Sequence, residues 1–203
     1  MIFSNFFSYV QETPWYYQFL SPVVDEIDQG SKLLDIGTGT GKLLQMAVKK
    51  KNVNGIGIDT DESMLHKAKK KLNNVNVELI KIESTNNYPF KNHVFETITI
   101  CNVLFNLDHN SNIDILTEVL RILKKEGKIV VLTPTGISNL FSLTKNYFSL
   151  NNLSIYIWFY ATRNRAGPWT KNKLLFKFSE KNNLKYKKKI ILNGFAQVEI
   201  ITS

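Results

Sequence analysis

Short apolar runs rich in Ile, Leu and Val alternate, through the first two thirds of this chain, with stretches whose apolar residues recur at helical spacing. No other feature narrows the possible folds as far. Strands that follow one another through intervening helices must cross over and pair in parallel, which makes the chain α/β. The runs at 32–36, 53–58, 77–82, 97–101 and 128–133 read as five such strands, and 42–50, 62–72 and 112–123 as helices. In the last of these Ile113, Leu116, Leu120 and Leu123 fall on one face, with Ser111 placed as N-cap. The N-terminal segment, residues 1–29, carries Phe6, Tyr9, Trp15, Tyr16 and Phe19 and reads as one or two aromatic-faced helices interrupted at Pro14.

After Pro134 and Gly136 the alternation stops. Residues 138–169 hold eight aromatic side chains, from Phe141 to Trp169, and behave as an inserted cap. Thr170 is then placed to cap a helix ending near Lys181, and the runs 185–192 and 195–201 flank Asn193-Gly194, a strong hairpin signal. The sum is a Rossmann-like, seven-stranded, mostly parallel sheet whose last strand is antiparallel, with helices on both faces and a helical cap. At 203 residues the chain is long enough to bury its own core as one domain, 1–203.

Composition narrows the setting. Cys101 is the only cysteine, which excludes an intrachain disulfide and counts against a cysteine-based zinc site, and no metal is expected. A reducing, cytoplasmic compartment fits. The N-terminus has no Lys or Arg to begin a secretion signal. The longest apolar run, residues 153–161, is about half the roughly 20 residues that a membrane span needs, so no transmembrane segment is expected.

The net charge of +9 is uneven. Residues 1–30 hold four acidic side chains and no basic one, 31–142 hold 15 basic against 11 acidic, and 143–203 hold 11 basic against 2 acidic. A cationic C-terminal third suits nucleic acid, an anionic membrane surface or an acidic substrate. Only Arg121, Arg163 and Arg165 among the 26 basic residues are Arg, however, and a selected phosphate-binding surface favours Arg forks. That balance counts against nucleic acid.

Residues 33–44, LLDIGTGTGKLL, join the first strand to the first helix. Gly37, Gly39 and Gly41 let the backbone approach a ligand closely. A phosphate-binding P-loop needs glycine at Ile36 and a hydroxyl at Leu43, so the spacing disfavours it. A dinucleotide turn needs its last glycine at Lys42, where this chain has it one residue early. Residues 55–65, GIGIDTDESML, then place Asp59 at the end of the second strand, where a carboxylate can take both hydroxyls of a ribose. With Asp35 adding negative charge, the pattern suits a cationic nucleoside.

These segments, with STNNYPF, CNVLFNLD and EVLRILKKEGKIVV, resemble in order the class I S-adenosylmethionine-dependent methyltransferases, in particular the group acting on small molecules and quinone precursors. The match runs over about residues 30–134. The resemblance implies that Gly37, Thr38, Gly39 and Gly41 hold the methionine part of S-adenosylmethionine, with Asp35 ordering that loop or the ammonium group. It gives Asp59 the ribose, Thr60 and Met64 the adenine, and Ser84 with Thr85 the place of the usual adenine-binding acid. Cys101 and Asn102 close the site. Phe105-Asn106 stand where many relatives have histidines.

Methyl transfer asks for an in-line nucleophile and exclusion of water rather than a dedicated catalytic group. For an alcohol or phenol acceptor a base helps, and His109 is the best placed of three histidines. Tyr16, Tyr17, Asn106 and Trp158 are the candidates for the acceptor side, under an aromatic cap suited to an apolar or aromatic small molecule. The product would be S-adenosylhomocysteine. Two other readings compete: an RNA or protein methyltransferase using the basic C-terminal third, and a cofactor-binding scaffold without activity. The sequence carries no signal for oligomeric state.

Overall fold

The computed structural model describes residues 9–137, 140–149 and 152–202. Helix α1 (Pro14–Asp25) precedes β1 (Lys32–Ile36), α2 (Lys42–Lys51), β2 (Asn54–Asp59), α3 (Glu62–Lys71), β3 (Val77–Lys81) and β4 (Phe95–Cys101). A short 3-10 turn (Leu104–Asn106) leads to α4 (His109–Ile122) and β5 (Leu123–Pro134). Then come α5 (Leu140–Tyr147), α6 (Ser154–Asn172), α7 (Leu174–Lys181), β6 (Lys185–Ile191) and β7 (Ala196–Thr202).

The strands form one sheet in the order β3-β2-β1-β4-β5-β7-β6. All pairings among β1 to β5 are parallel, and β7 runs antiparallel to both neighbours. The chain winds outward from β1 in one direction through β2 and β3, then restarts on its other side with β4. That reversal opens a crevice at the carboxyl ends of β1 and β4, where open α/β sheets bind ligands.

Period-two burial divides the core. Along β5, Ile129 and Val131 join α4, α7 and the second half of α6, whereas Val130 and Leu132 join α1, α2 and α5. Helix α6 belongs to both layers, with Ile155, Trp158 and Phe159 in one and Ala166 and Trp169 in the other. It therefore passes from one face of the sheet to the other.

The seven strands, the antiparallel β7 and the break at Pro14, which opens α1, match the sequence pattern. Four local expectations are corrected. Helix α4 begins at His109, and its cap is Asp108 rather than Ser111: the Asp108 carboxylate accepts from Ser111 N at 3.0 Å and from Ser111 Oγ at 2.6 Å. The buried face of α4 is Asn112, Ile115, Leu116, Val119 and Ile122, with Ile113 and Leu120 only flanking it, while Leu123 opens β5 five residues before the expected start. Thr170 caps nothing. Its hydroxyl donates to Thr135 O at 2.9 Å, α6 continues through Pro168 to Asn172, and the break falls at Lys173, which has φ 54°. The hairpin at Asn193-Gly194 is present, but Ile191 pairs with Ala196, so four residues make the connection instead of two.

The cap of α4 is directly testable. Asp108→Ala is expected to cost about 1 kcal/mol of stability, because it leaves N–H groups of the first turn without an acceptor. Ser111→Ala, which removes only the second bond to the same carboxylate, is expected to cost less. Urea midpoints in the opposite order would restore Ser111 as the cap.

Candidate functional site

At the carboxyl ends of β1, β2 and β4 lies a cleft of about 330 Å³. Its walls include Gly37, Gly39, Asp59, Thr60, Met64, Thr85, Cys101, Asn102 and Asn106, nine of the positions named from the sequence. The loop after β1 forms its floor because Gly37 and Thr38 both donate backbone N–H to Ile58 O, at 2.9 and 3.0 Å, locking the loop against the end of β2. A Cβ on Gly37, which has φ +69°, would lie 2.3 Å from Val103 Cγ2, so only glycine allows this loop to pass so close to the β4 loop. Gly39, at φ +55°, turns its N–H to Asp59 Oδ2 at 2.8 Å.

Asp59 ends β2, and its other oxygen accepts from Asp61 N at 2.9 Å. Burial raises its pKa, while these backbone bonds pull the other way. Each carboxylate oxygen keeps a further lone pair for a ligand hydroxyl. Asp61 caps α3 by accepting from Ser63 N and Met64 N, which fixes Met64 at the cleft. Asp61 escaped the sequence reading, although an Asp two residues before a serine at a helix start is a capping signal.

Asp35 sits deeper. It lies with Thr38, Cys101, Tyr16 and Gln11 around a small inner cavity of about 30 Å³ under α1. Burial pushes its carboxyl from the ordinary 3.8 up to about 7, against hydrogen bonds from Thr99 and Thr38, and the charge of Asp59 adds to the rise. Thr99 Oγ1 donates to it at 2.8 Å. Burial likewise raises the Cys101 thiol well above its usual value and raises the Tyr16 phenol, which the side chains of Asn102 and Gln11 moderate. Both stay protonated. Above this cavity α1 is held by Glu12, which bridges Lys42 at 2.7 Å and Lys71 at 2.6 Å, and by a hydrogen bond from Thr40 to Gln11.

Other expected positions fall elsewhere. Ser84 donates to Asn86 Oδ1 at 3.0 Å and is not among the cleft residues, leaving Thr85 there. Gly41 starts α2 and faces Leu72 and Ala68. Tyr17 lies on the outer side of α1 with Lys50 Nζ 5.0 Å from its ring. Trp158 is buried against Trp15 and Phe19, with ring centroids 5.2 and 5.3 Å away, so it packs the core. His109 is exposed at the first turn of α4 and lines a separate cavity of about 430 Å³ with Phe105, Leu107, Asn112, Arg165 and Trp169. Leu107 is shared by this cavity and the cleft. The side-chain oxygen of Asn112 is buried there without a hydrogen-bond partner.

The donor set fits S-adenosylmethionine. Two carboxylates suit a ligand carrying positive charge, the glycine loop admits close backbone approach, and among the described residues no basic side chain lines the cleft to hold a phosphate.

Residues 33–127 match the model of the methyltransferase domain family. Over 120 residues the chain is 30% identical to a ubiquinone/menaquinone biosynthesis C-methyltransferase of Desulfotalea psychrophila, covering 58% of this chain and 48% of that protein. It is 26% identical over 155 residues to ribosomal RNA small subunit methyltransferase A of Mycoplasma capricolum, covering 71% and 55%. The chain thus spans about half the length of these relatives. Its fold superimposes on a SAM-dependent methyltransferase from Aquifex aeolicus with a TM-score of 0.69 at 17% identity, covering 93% of each chain.

The raised carboxyl of Asp35 makes a pH prediction. Between about pH 4 and 7 the folded chain holds a proton that the unfolded chain has released. The stability this gives is full below pH 4 and is lost as pH rises through 7. Relative to Asp35→Asn, which cannot ionise, the parent chain is expected to lose melting temperature progressively over that window. A difference independent of pH would overturn the assignment.

Proposed function

We propose that this chain is a class I S-adenosylmethionine-dependent methyltransferase that passes a methyl group from that cofactor to a small, apolar or aromatic acceptor. The observation that carries this reading is the latch between Asp59 and the glycine loop, which places a carboxylate, a backbone cradle and an uncharged β4 wall around one cleft.

Asp59 would take the ribose hydroxyls, Thr60, Met64 and Thr85 would border the adenine, and the loop from Gly37 to Gly39 with Asp35 would hold the amino-acid end. The bound cofactor supplies a methyl group on a positively charged sulfur. What the chain contributes is position and dryness. Cys101 stays a thiol and so does not compete as a nucleophile. Tyr16 keeps its proton and covers the inner end of the cleft beside Asn102. The acceptor side, with Val103, Leu107 and Ile115 as walls and Asn102 and Asn106 as the polar groups, suits a neutral ring better than a charged polymer. In this reading the N-terminal segment covers the inner end of the site of a single domain through Gln11, Tyr16 and Leu20, whereas the described residues of 138–169 line neither that cavity nor the cleft. His109, which lies outside the cleft, is then not required as a base.

The quinone-related names of several relatives agree with a ring-bearing acceptor. One relative named for ribosomal RNA, together with the basic C-terminal third, keeps RNA as the second reading. Salt separates the two, since RNA methylation weakens steeply with ionic strength and turnover of a neutral small molecule does not.

Calorimetry is expected to show binding of S-adenosylhomocysteine and none of ATP or NAD. Asp59→Ala is expected to weaken the former by about 1–3 kcal/mol through lost charge-assisted hydrogen bonds. Unchanged affinity in a folded variant would remove the ribose assignment. Labelled cofactor incubated with a metabolite extract and with total RNA then decides the acceptor class.

A further inference from the structure

The cap helices bury one apolar face and leave a second one bare. On α6, Ile155, Trp158 and Phe159 turn inward, while Leu153, Ile157 and Tyr160, spaced four and three residues apart, form a stripe 51, 53 and 49% exposed. The pattern repeats at α5. Leu143 is fully buried, and Phe141 and Phe148, seven residues apart, are 79 and 71% exposed. Among the described residues, seven of the eleven large exposed hydrophobics lie between 137 and 160. Single exposed leucines are ordinary, but such a concentration on two consecutive helices marks a contact surface.

The charge around the stripe is of one sign. Residues 137–165, which carry the stripe, contain three basic side chains, Lys145, Arg163 and Arg165, and no acidic one. Lys145 lies between the two exposed phenylalanines on α5, and the Arg163 guanidinium sits 4.8 Å over the Tyr160 ring at the end of the α6 stripe. An apolar stripe edged by cations complements anionic lipid, where rings and aliphatic groups enter the acyl boundary and cations stay with the headgroups. RNA would use the cations but gain little from Leu153 and Ile157. A second copy of this chain would set the same acid-free surface against itself.

We propose that the α5–α6 cap docks this protein on an anionic membrane surface. The docking stands on surface chemistry alone. Only its purpose, delivering an acceptor that partitions into lipid, rests on the small-molecule reading above.

Sedimentation with vesicles tests it. The protein is expected to pellet with phosphatidylcholine vesicles containing phosphatidylglycerol and several-fold less with phosphatidylcholine alone. Phe141→Ser combined with Phe148→Ser is expected to reduce anionic-vesicle binding roughly tenfold, since two buried rings are lost. Both side chains are exposed, so folding should survive, and unchanged binding of S-adenosylhomocysteine by the variant shows that it has. That control also separates failure of the docking from failure of the cofactor reading. No pelleting, or pelleting indifferent to the ring substitutions, overturns the proposal. So does tighter binding to single-stranded RNA that only Lys145→Ala and Arg163→Ala reduce, or a dimer in solution that the ring substitutions dissociate.

Discussion

One carboxylate sets the distance between the two loops on which the site depends. Asp59 accepts from Gly39 on the loop after β1 and from Asp61 on the loop after β2. The β1–β2 register brings Ile36 level with Ile58, and Ile58 O then receives two N–H groups from the glycine loop. The main chain and this side chain therefore hold the loop from opposite ends. Without the carboxylate, Gly39 N–H would need another partner at the edge of an apolar cleft, and the loop's left-handed turns would have nothing to over-determine them.

The same constraint selects the charge of the ligand. Asp35 and Asp59 are both raised by burial, and Asp59 raises Asp35 further. An arriving phosphate would add a third negative charge to this group, whereas a cation lowers the cost of ionising both carboxyls. Glycine spacing alone argues against a phosphate cradle, and the buried acids supply the energetic reason. A cationic ligand placed against Asp35 would favour its ionised form, opposing the effect of burial.

What the sequence displayed was periodicity and spacing, and those features survive in the structure. The parallel strands follow from runs of β-branched residues, Gly37, Gly39 and Asp59 from two loops at fixed offsets, and the other six cleft positions from the family resemblance. What it hid were choices between chemically similar neighbours. Asp108 and Ser111 are both good caps, and Asp108 lies three residues before the N–H that it takes. Asn112 reads as polar and hence outward, yet it is buried, which rotates the apparent face of α4. Ser84 stands at the position the family pattern implies, but Asn86, two residues on, captures its hydroxyl.

The aromatic cap shows why residue type alone does not distinguish core from contact surface. Its rings divide into two stripes on the same helices. Trp158 meets Trp15 and Phe19 within about 5 Å and ties the cap to α1, with Trp15 Nε1 donating to Ser154 Oγ at 2.8 Å. Tyr160, two residues beyond Trp158, points outward beneath Arg163. Both stripes recur at helical spacing, so periodicity finds the helix without saying which stripe faces the sheet. The partner for the inner stripe lies more than a hundred residues away, in α1. Because α6 also crosses between the two core layers, the helix that carries the outer stripe is anchored to both faces of the sheet. The helix that carries the outer stripe thus packs both against α1, whose Tyr16 and Leu20 line the inner cavity, and against the β4 loop, whose Asn106 lines the cleft.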